Sequence, residues 1–183
     1  ALLGGIEEPR RTLEGRAIVV GDPTEGALLV AGLKGGLHRS DIESTMPRLL
    51  TIPFDSDRKR MTVVRVRDGA VTAFVKGAPE VILARCTHIL TAQGRTELSA
   101  AERARMEQAC ALLASDALRV LALAEQSLAQ PVTAGMAADI EQGLTLVGLV
   151  GLQDPPRPEV REAVARCKRA GIKTVMITGD HPD

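Results

Sequence analysis

Residues 61–77, MTVVRVRDGAVTAFVKG, set two runs of alternating apolar side chains on either side of Asp68-Gly69. A two-residue Asp-Gly link suits the tight turn that joins antiparallel strands, so this stretch predicts a β-hairpin. Strand patterns recur around it in RAIVV (Arg16 to Val20), RLLTIPF (Arg48 to Phe54), THILTA (Thr87 to Ala92) and LRVLALAEQ (Leu118 to Gln126). Helices are expected between them. One runs from about Pro23 to Lys34, with Asp22 as N-cap and proline in the first helical position. PEVILARC suggests a short one, and a long amphipathic one starts at about Ser99, where Ser99 and Glu102 have capping-box spacing. The expected fold to residue 143 is α+β, an antiparallel sheet flanked by helices.

From Leu144 the pattern changes. LTLVGLVGLQD is a continuous apolar strand, PRPEVREAVARCKRAG a helix ending at Gly171, and IKTVMITGD a second apolar strand. Strand, helix, strand with fully apolar strands is the pattern of a parallel, doubly covered sheet. Residues 144–183 are therefore expected to begin a second domain, and we read the chain as a fragment of something larger.

Composition narrows the functional classes. With 23 basic and 23 acidic side chains there is no global field to draw the chain to nucleic acid or an anionic membrane, so any anion site is local. Cys86, Cys110 and Cys167 lie far apart, and His38, His88 and His181 share no metal-like spacing, which argues against a disulfide framework or a zinc site. A reducing compartment is expected. The longest strongly apolar stretch, Leu144 to Leu152, is about half of what a membrane helix needs, and no signal peptide opens the sequence.

The aromatic inventory is two residues, Phe54 and Phe74, with no Trp or Tyr. Phe54 stands beside Arg58, Lys59 and Arg60 in PFDSDRKRM, where a flat ring next to cations suits a nucleotide: the ring stacks on the base and the cations neutralise phosphates. A core phenylalanine followed by a solvated charged turn fits the same letters. Lys76 sits at the end of the second hairpin strand, on a stiff Gly77-Ala78-Pro79 corner, and the hairpin can bring it to the basic cluster. Read alone it is also an ordinary surface lysine. Asp22 and Glu25 suffice as helix-capping acids, and Arg119, a cation in an apolar β run, points toward an acid or a ligand. In the tail, Asp154 and Arg157 flank two prolines, while Thr178, Gly179 and Asp180 end an apolar strand, where α/β sheets bind ligands or simply turn.

GDPTEGALL, PFDSDRKRM, FVKGAPE, ALRVLALA, LQDPPRPEV and MITGD occur in this order over residues 21 to 180. Together they resemble the nucleotide-binding domain of a P-type cation-transporting ATPase, most of all its calcium-transporting branch, followed by part of the HAD-like phosphorylation domain. The resemblance implies that Phe54 stacks on adenine, that Lys76 lines the adenine pocket, that Glu25 and Lys59 complete its polar wall, and that Arg119 reaches toward the phosphates. It assigns Asp154, Arg157, Thr178, Gly179 and Asp180 to the phosphorylation domain, near the γ-phosphate and its Mg²⁺. ATP with Mg²⁺ is the implied ligand, the other pump domains are the implied partners, and the implied location is the cytoplasmic side of a membrane.

The sequence contains no DKTG and no GDGxNDxP, so the phosphorylated aspartate is absent. This chain alone is expected to be monomeric, to bind nucleotide and not to turn it over. Two other readings fit the sequence: a small HAD-like phosphatase using Asp55 of the Asp55-Ser56-Asp57 pair, and a noncatalytic module docking through its basic cluster.

Overall fold

The computed structural model describes residues 10–11, 17–18, 22–129, 132–133, 136–153 and 159–175. In chain order the elements are β1 (Arg10–Arg11), β2 (Ala17–Ile18), α1 (Pro23–Lys34), α2 (Arg39–Thr45), β3 (Arg48–Asp55), β4 (Arg60–Arg67), β5 (Ala70–Gly77), α3 (Pro79–Leu83), β6 (Cys86–Thr91), β7 (Gly94–Glu97), α4 (Ala100–Ser115), β8 (Arg119–Leu128), α5 (Ala137–Ile140), β9 (Leu144–Leu152) and α6 (Val160–Arg169). β1 and β2 pair with each other, and the other strands form a seven-stranded sheet in the order β3-β4-β5-β8-β9-β6-β7. Every neighbouring pair is antiparallel except β6 and β9.

The hairpin at the centre of the sequence is the spine of this sheet. Asp68 and Gly69 both take positive φ, 51° and 77°, the geometry of the turn that matches strand twist. Uninterrupted pairing follows from Arg60 opposite Gly77 to Arg67 opposite Ala70. Partners across antiparallel strands share a face. Thr62, Val64, Val71, Ala73, Val75, Ala122 and Ala124 therefore lie on one face, where Ile82, Leu83, Leu144, Leu146 and Ile140 contribute to the buried apolar clusters. Met61, Val63, Arg65, Phe74 and Lys76 alternate to the other face. On that side Arg65 donates to Glu43 of α2 and Lys76 to Glu25 of α1.

Capping sets the helices as expected. Asp22 accepts from the backbone N–H groups of Thr24 and Glu25 at 2.8 and 3.1 Å, and Ser99 and Glu102 close a reciprocal capping box on α4. Three short elements carry too little pattern to be read from sequence. α2 has Ile42 as its one aliphatic residue, β7 is Gly-Arg-Thr-Glu held by pairing with β6, and α5 is a single turn.

The expected boundary before Leu144 needs correction. β9 is the strand between β8 and β6 of the same sheet, not the first strand of another one. Its apolar run serves this sheet's own core: Leu144 and Leu146 are buried in it, whereas Val147 is 42% exposed, so the strand is covered mainly along its first residues. The compact units divide after Leu152, into residues 1–152 and 153–183. In the second unit, α6 falls in the expected helix and Gly171 follows it with φ 70°. Residues 172–175 of the expected last strand have no regular structure, and its remainder lies outside the described residues.

Candidate functional site

The site is built on a corner where two chain reversals are tied together. The carboxylate of Asp55 accepts from the backbone N–H groups of Asp57 and Arg58, both at 2.9 Å, and its carbonyl accepts from Lys59 N–H at 2.7 Å. Lys59 closes the turn with φ 51°, and its carbonyl receives the Ala78 N–H at 3.0 Å. Gly77 is what allows this approach. A Cβ there would lie 2.5 Å from the Lys59 carbonyl oxygen and 2.7 Å from Arg60 Cβ. Gly77→Ala should therefore cost about 1–3 kcal/mol, the scale of overpacking at a rigid contact, with backbone amide shifts centred on residues 57–60. Urea unfolding and amide spectra measure this; an unaltered Lys59 turn would refute the contact.

Lys76 projects from the same corner to the face carrying α1. Its side chain is 7% exposed and its ammonium pairs with Glu25, in the first turn of that helix. The other Glu25 oxygen, Oε2, is buried with no hydrogen-bond partner among the described residues. Burial lowers the Lys76 pKa from 10.5 to about 8, opposed by the nearby Asp22 charge. A lysine whose folded pKa is depressed binds fewer protons folded than unfolded between those values, so stability rises with pH across that window. Between pH 8 and 10.5 the parent chain should gain stability relative to Lys76→Met, as followed by urea midpoints. Parallel pH profiles would show that the ammonium is not desolvated.

These groups surround one cavity of about 470 Å³. Glu25, Phe54, Lys59, Lys76 and Arg119 all line it, as do Asp22, Met61 and Leu121. Phe54 is 61% exposed, so it is a wall of the cavity and no part of the core. Arg119, exposed at the start of β8 and opposite Leu152, has no ion-pair partner among the described residues. Lys59 reaches Glu80 at 3.7 Å with both side chains largely in solvent, so it remains available. Chemically the cavity offers one flat ring, an apolar floor, a desolvated ammonium beside a carboxylate, and two exposed cations at its edge.

The basic cluster divides differently from the sequence expectation. Arg58 and Arg60 both bind Glu141, just past α5, with Arg60 Nε 2.6 Å from its carboxylate. Thr62 Oγ1 donates to the same carboxylate at 2.6 Å. Arg60 and Thr62 occupy the face of β4 opposite Met61, so of the three cations only Lys59 lines the cavity. Glu141 itself is fully buried. Burial pushes its pKa up, but hydrogen bonds from Thr62, Arg60 and Arg58 outweigh that and hold it below the ordinary carboxylate value. Asp55, the nucleophile of the phosphatase reading, is a turn cap on an antiparallel strand.

Sequence reasoning missed Met61 and Leu121, which carry no chemical signal beyond their strand position, and Glu141, which follows a poorly patterned stretch. Asp154, Arg157, Thr178, Gly179 and Asp180 lie outside the described residues.

Residues 7–159 match the family described as P-type ATPase, cytoplasmic domain N, and the chain belongs to it. Among curated relatives, a calcium-transporting ATPase of Bacillus subtilis (strain 168) is 45% identical over 172 residues, covering 92% of this chain and 19% of the relative. The cation-transporting ATPase pma1 of Synechocystis sp. is 44% identical over 163 residues, 89% of this chain and 18% of the relative. A plasma membrane-type calcium-transporting ATPase 1 of Oryza sativa subsp. japonica is 42% identical over 177 residues, 93% and 16%. The chain thus spans about a fifth or less of the length of these relatives.

Proposed function

We propose that this chain is the ATP-holding domain of a calcium-transporting P-type pump, which presents the triphosphate to an aspartate elsewhere in the longer protein. The observation that carries this reading is the convergence of Glu25, Phe54, Lys59, Lys76 and Arg119, drawn from four separate stretches, on one cavity. Its volume falls in the range typical of small-molecule sites.

In this reading the purine stacks on Phe54 above Met61 and Leu121. Lys76 supplies a desolvated positive charge held by Glu25, and the unpartnered Glu25 oxygen is left to accept from the ligand. Lys59 and Arg119 steer the phosphates. Among the described residues no group of three or more His, Cys, Asp or Glu could hold a metal ion. In this reading Mg²⁺ arrives with the triphosphate, lowering its charge. Asp154, Arg157, Thr178, Gly179 and Asp180 would belong to the following phosphorylation domain, and the whole protein would work on the cytoplasmic side of a membrane. Among the described residues no helix is long and apolar enough to cross one.

Phosphoryl transfer requires donor, metal and acceptor together, so this chain alone should bind ATP without hydrolysing it. Titration with Mg-ATP, followed by backbone amide shifts, tests the site. Shifts gathered around Phe54, Lys59 and Lys76 are expected; none at millimolar ATP, or a set centred elsewhere, would overturn it.

A further inference from the structure

The Asp55–Arg60 turn carries Lys59 and follows Phe54 directly, yet its two flanking guanidinium groups are committed to the far face of the sheet. We propose that Glu141 is a positioning residue of the cavity: from behind the sheet it clamps Arg58 and Arg60, and so fixes the turn that presents Phe54 and Lys59. This rests on the nucleotide reading for what the cavity receives, but the clamp is a property of the fold.

Three contacts converge on one carboxylate from consecutive parts of the turn and its strand. Arg58 binds one oxygen, Arg60 Nε binds the other at 2.6 Å, and Thr62 adds a hydroxyl at 2.6 Å. Arg60 also donates from Nη1 to the Arg58 carbonyl at 2.9 Å, closing the turn on itself. A fully buried carboxylate holding two cations cannot drift without stranding charge. Its hold therefore reaches Lys59, whose left-handed backbone lies between the two clamped residues. The same clamp keeps two guanidinium groups out of the cavity, which leaves Lys59 and Arg119 as its exposed cations. Residues 141–143 lead directly into β9, so the cavity's turn is anchored to the strand that ends at Leu152.

The test compares three variants of this chain at a temperature where each is folded. Glu141→Gln keeps the shape but removes the charge, Arg58→Gln releases one arm at a partly exposed position, and Leu146→Ala weakens the core without touching the turn. Calorimetric titration with Mg-ATP gives affinity, and amide hydrogen exchange of residues 57–59 without nucleotide gives the order of the turn.

Glu141→Gln should weaken ATP binding about 3- to 10-fold, the scale of re-ordering one or two loosened side chains on binding. It should also speed exchange in the turn, while Leu146→Ala does neither. Arg58→Gln should show a smaller effect in the same direction, and combining it with Glu141→Gln should be less than additive. Normal affinity and exchange in folded Glu141→Gln would overturn the clamp. If that variant does not fold, unchanged affinity and exchange in Arg58→Gln would do the same. Failure of the parent chain to bind ATP would overturn the nucleotide reading as well, a result distinct from normal binding by the variants.

Discussion

Glu141→Ala should lower the stability of this chain by about 3–5 kcal/mol, an exceptional loss for a single substitution. The size comes from what is left behind, not from the strength of the pairs. Truncation leaves the buried Arg60 guanidinium without its carboxylate and Thr62 Oγ1 without its acceptor. Arg58, 28% exposed, can turn to water; Arg60 is held at 11% and cannot easily follow. Against a total of roughly 5–15 kcal/mol for a domain, this is a large share. Acid should act the same way. A carboxyl whose pKa is held below 4.5 contributes stability above that value, and the contribution is lost as pH falls through its folded pKa. The gap between parent and Glu141→Ala should therefore close below about pH 4.5. Urea midpoints over pH 3–7 measure both effects, and a loss under about 1 kcal/mol at neutral pH would mean that the arginines find other partners.

The same residue shows where the sequence could be read and where it could not. Patterns that act locally were legible. Asp68-Gly69 dictates its own turn, Asp22 and Ser99 cap the helices that follow them, and alternation along 61–77 assigns Lys76 to a face once the hairpin exists. Position in the sheet was not legible, because an apolar run sets a strand's character but not which strands lie beside it. β9 therefore passed for the start of a new domain although its partners are β8 and β6.

Long-range charge pairing was hidden for a similar reason. Arg58, Lys59 and Arg60 are indistinguishable as letters, and only pairing with a glutamate about eighty residues away separates two structural cations from the one that lines the cavity. The cavity walls were foreseen where the side chain is unusual for its setting. One phenylalanine among two in the chain and one lysine on a Gly-Ala-Pro corner stood out, whereas Met61 and Leu121 are ordinary strand residues.

Phe54→Ala should weaken ATP binding by about 1–3 kcal/mol, the usual loss for one aromatic stack on a base. That corresponds to a rise in Kd of roughly 5- to 150-fold. The variant should fold normally: the ring is 61% exposed at the end of an edge strand, and substitutions at such positions usually change stability within about 0.5 kcal/mol. Affinity and stability are thus expected to separate, which distinguishes a binding ring from a packing one. Inorganic triphosphate supplies the internal control, since it carries the phosphate charges without a base. Its weaker binding should depend on Lys59 and Arg119 and be indifferent to Phe54, so the substitution should narrow the preference for ATP over triphosphate. An equal loss for both ligands would mean that Phe54 shapes the cavity as a whole, and no loss for either would remove it from the site. The prediction is specific because the ring has one neighbourhood in which to act: the corner fixed by Gly77 and Lys59 lies beside it, and Lys76 lines the same cavity.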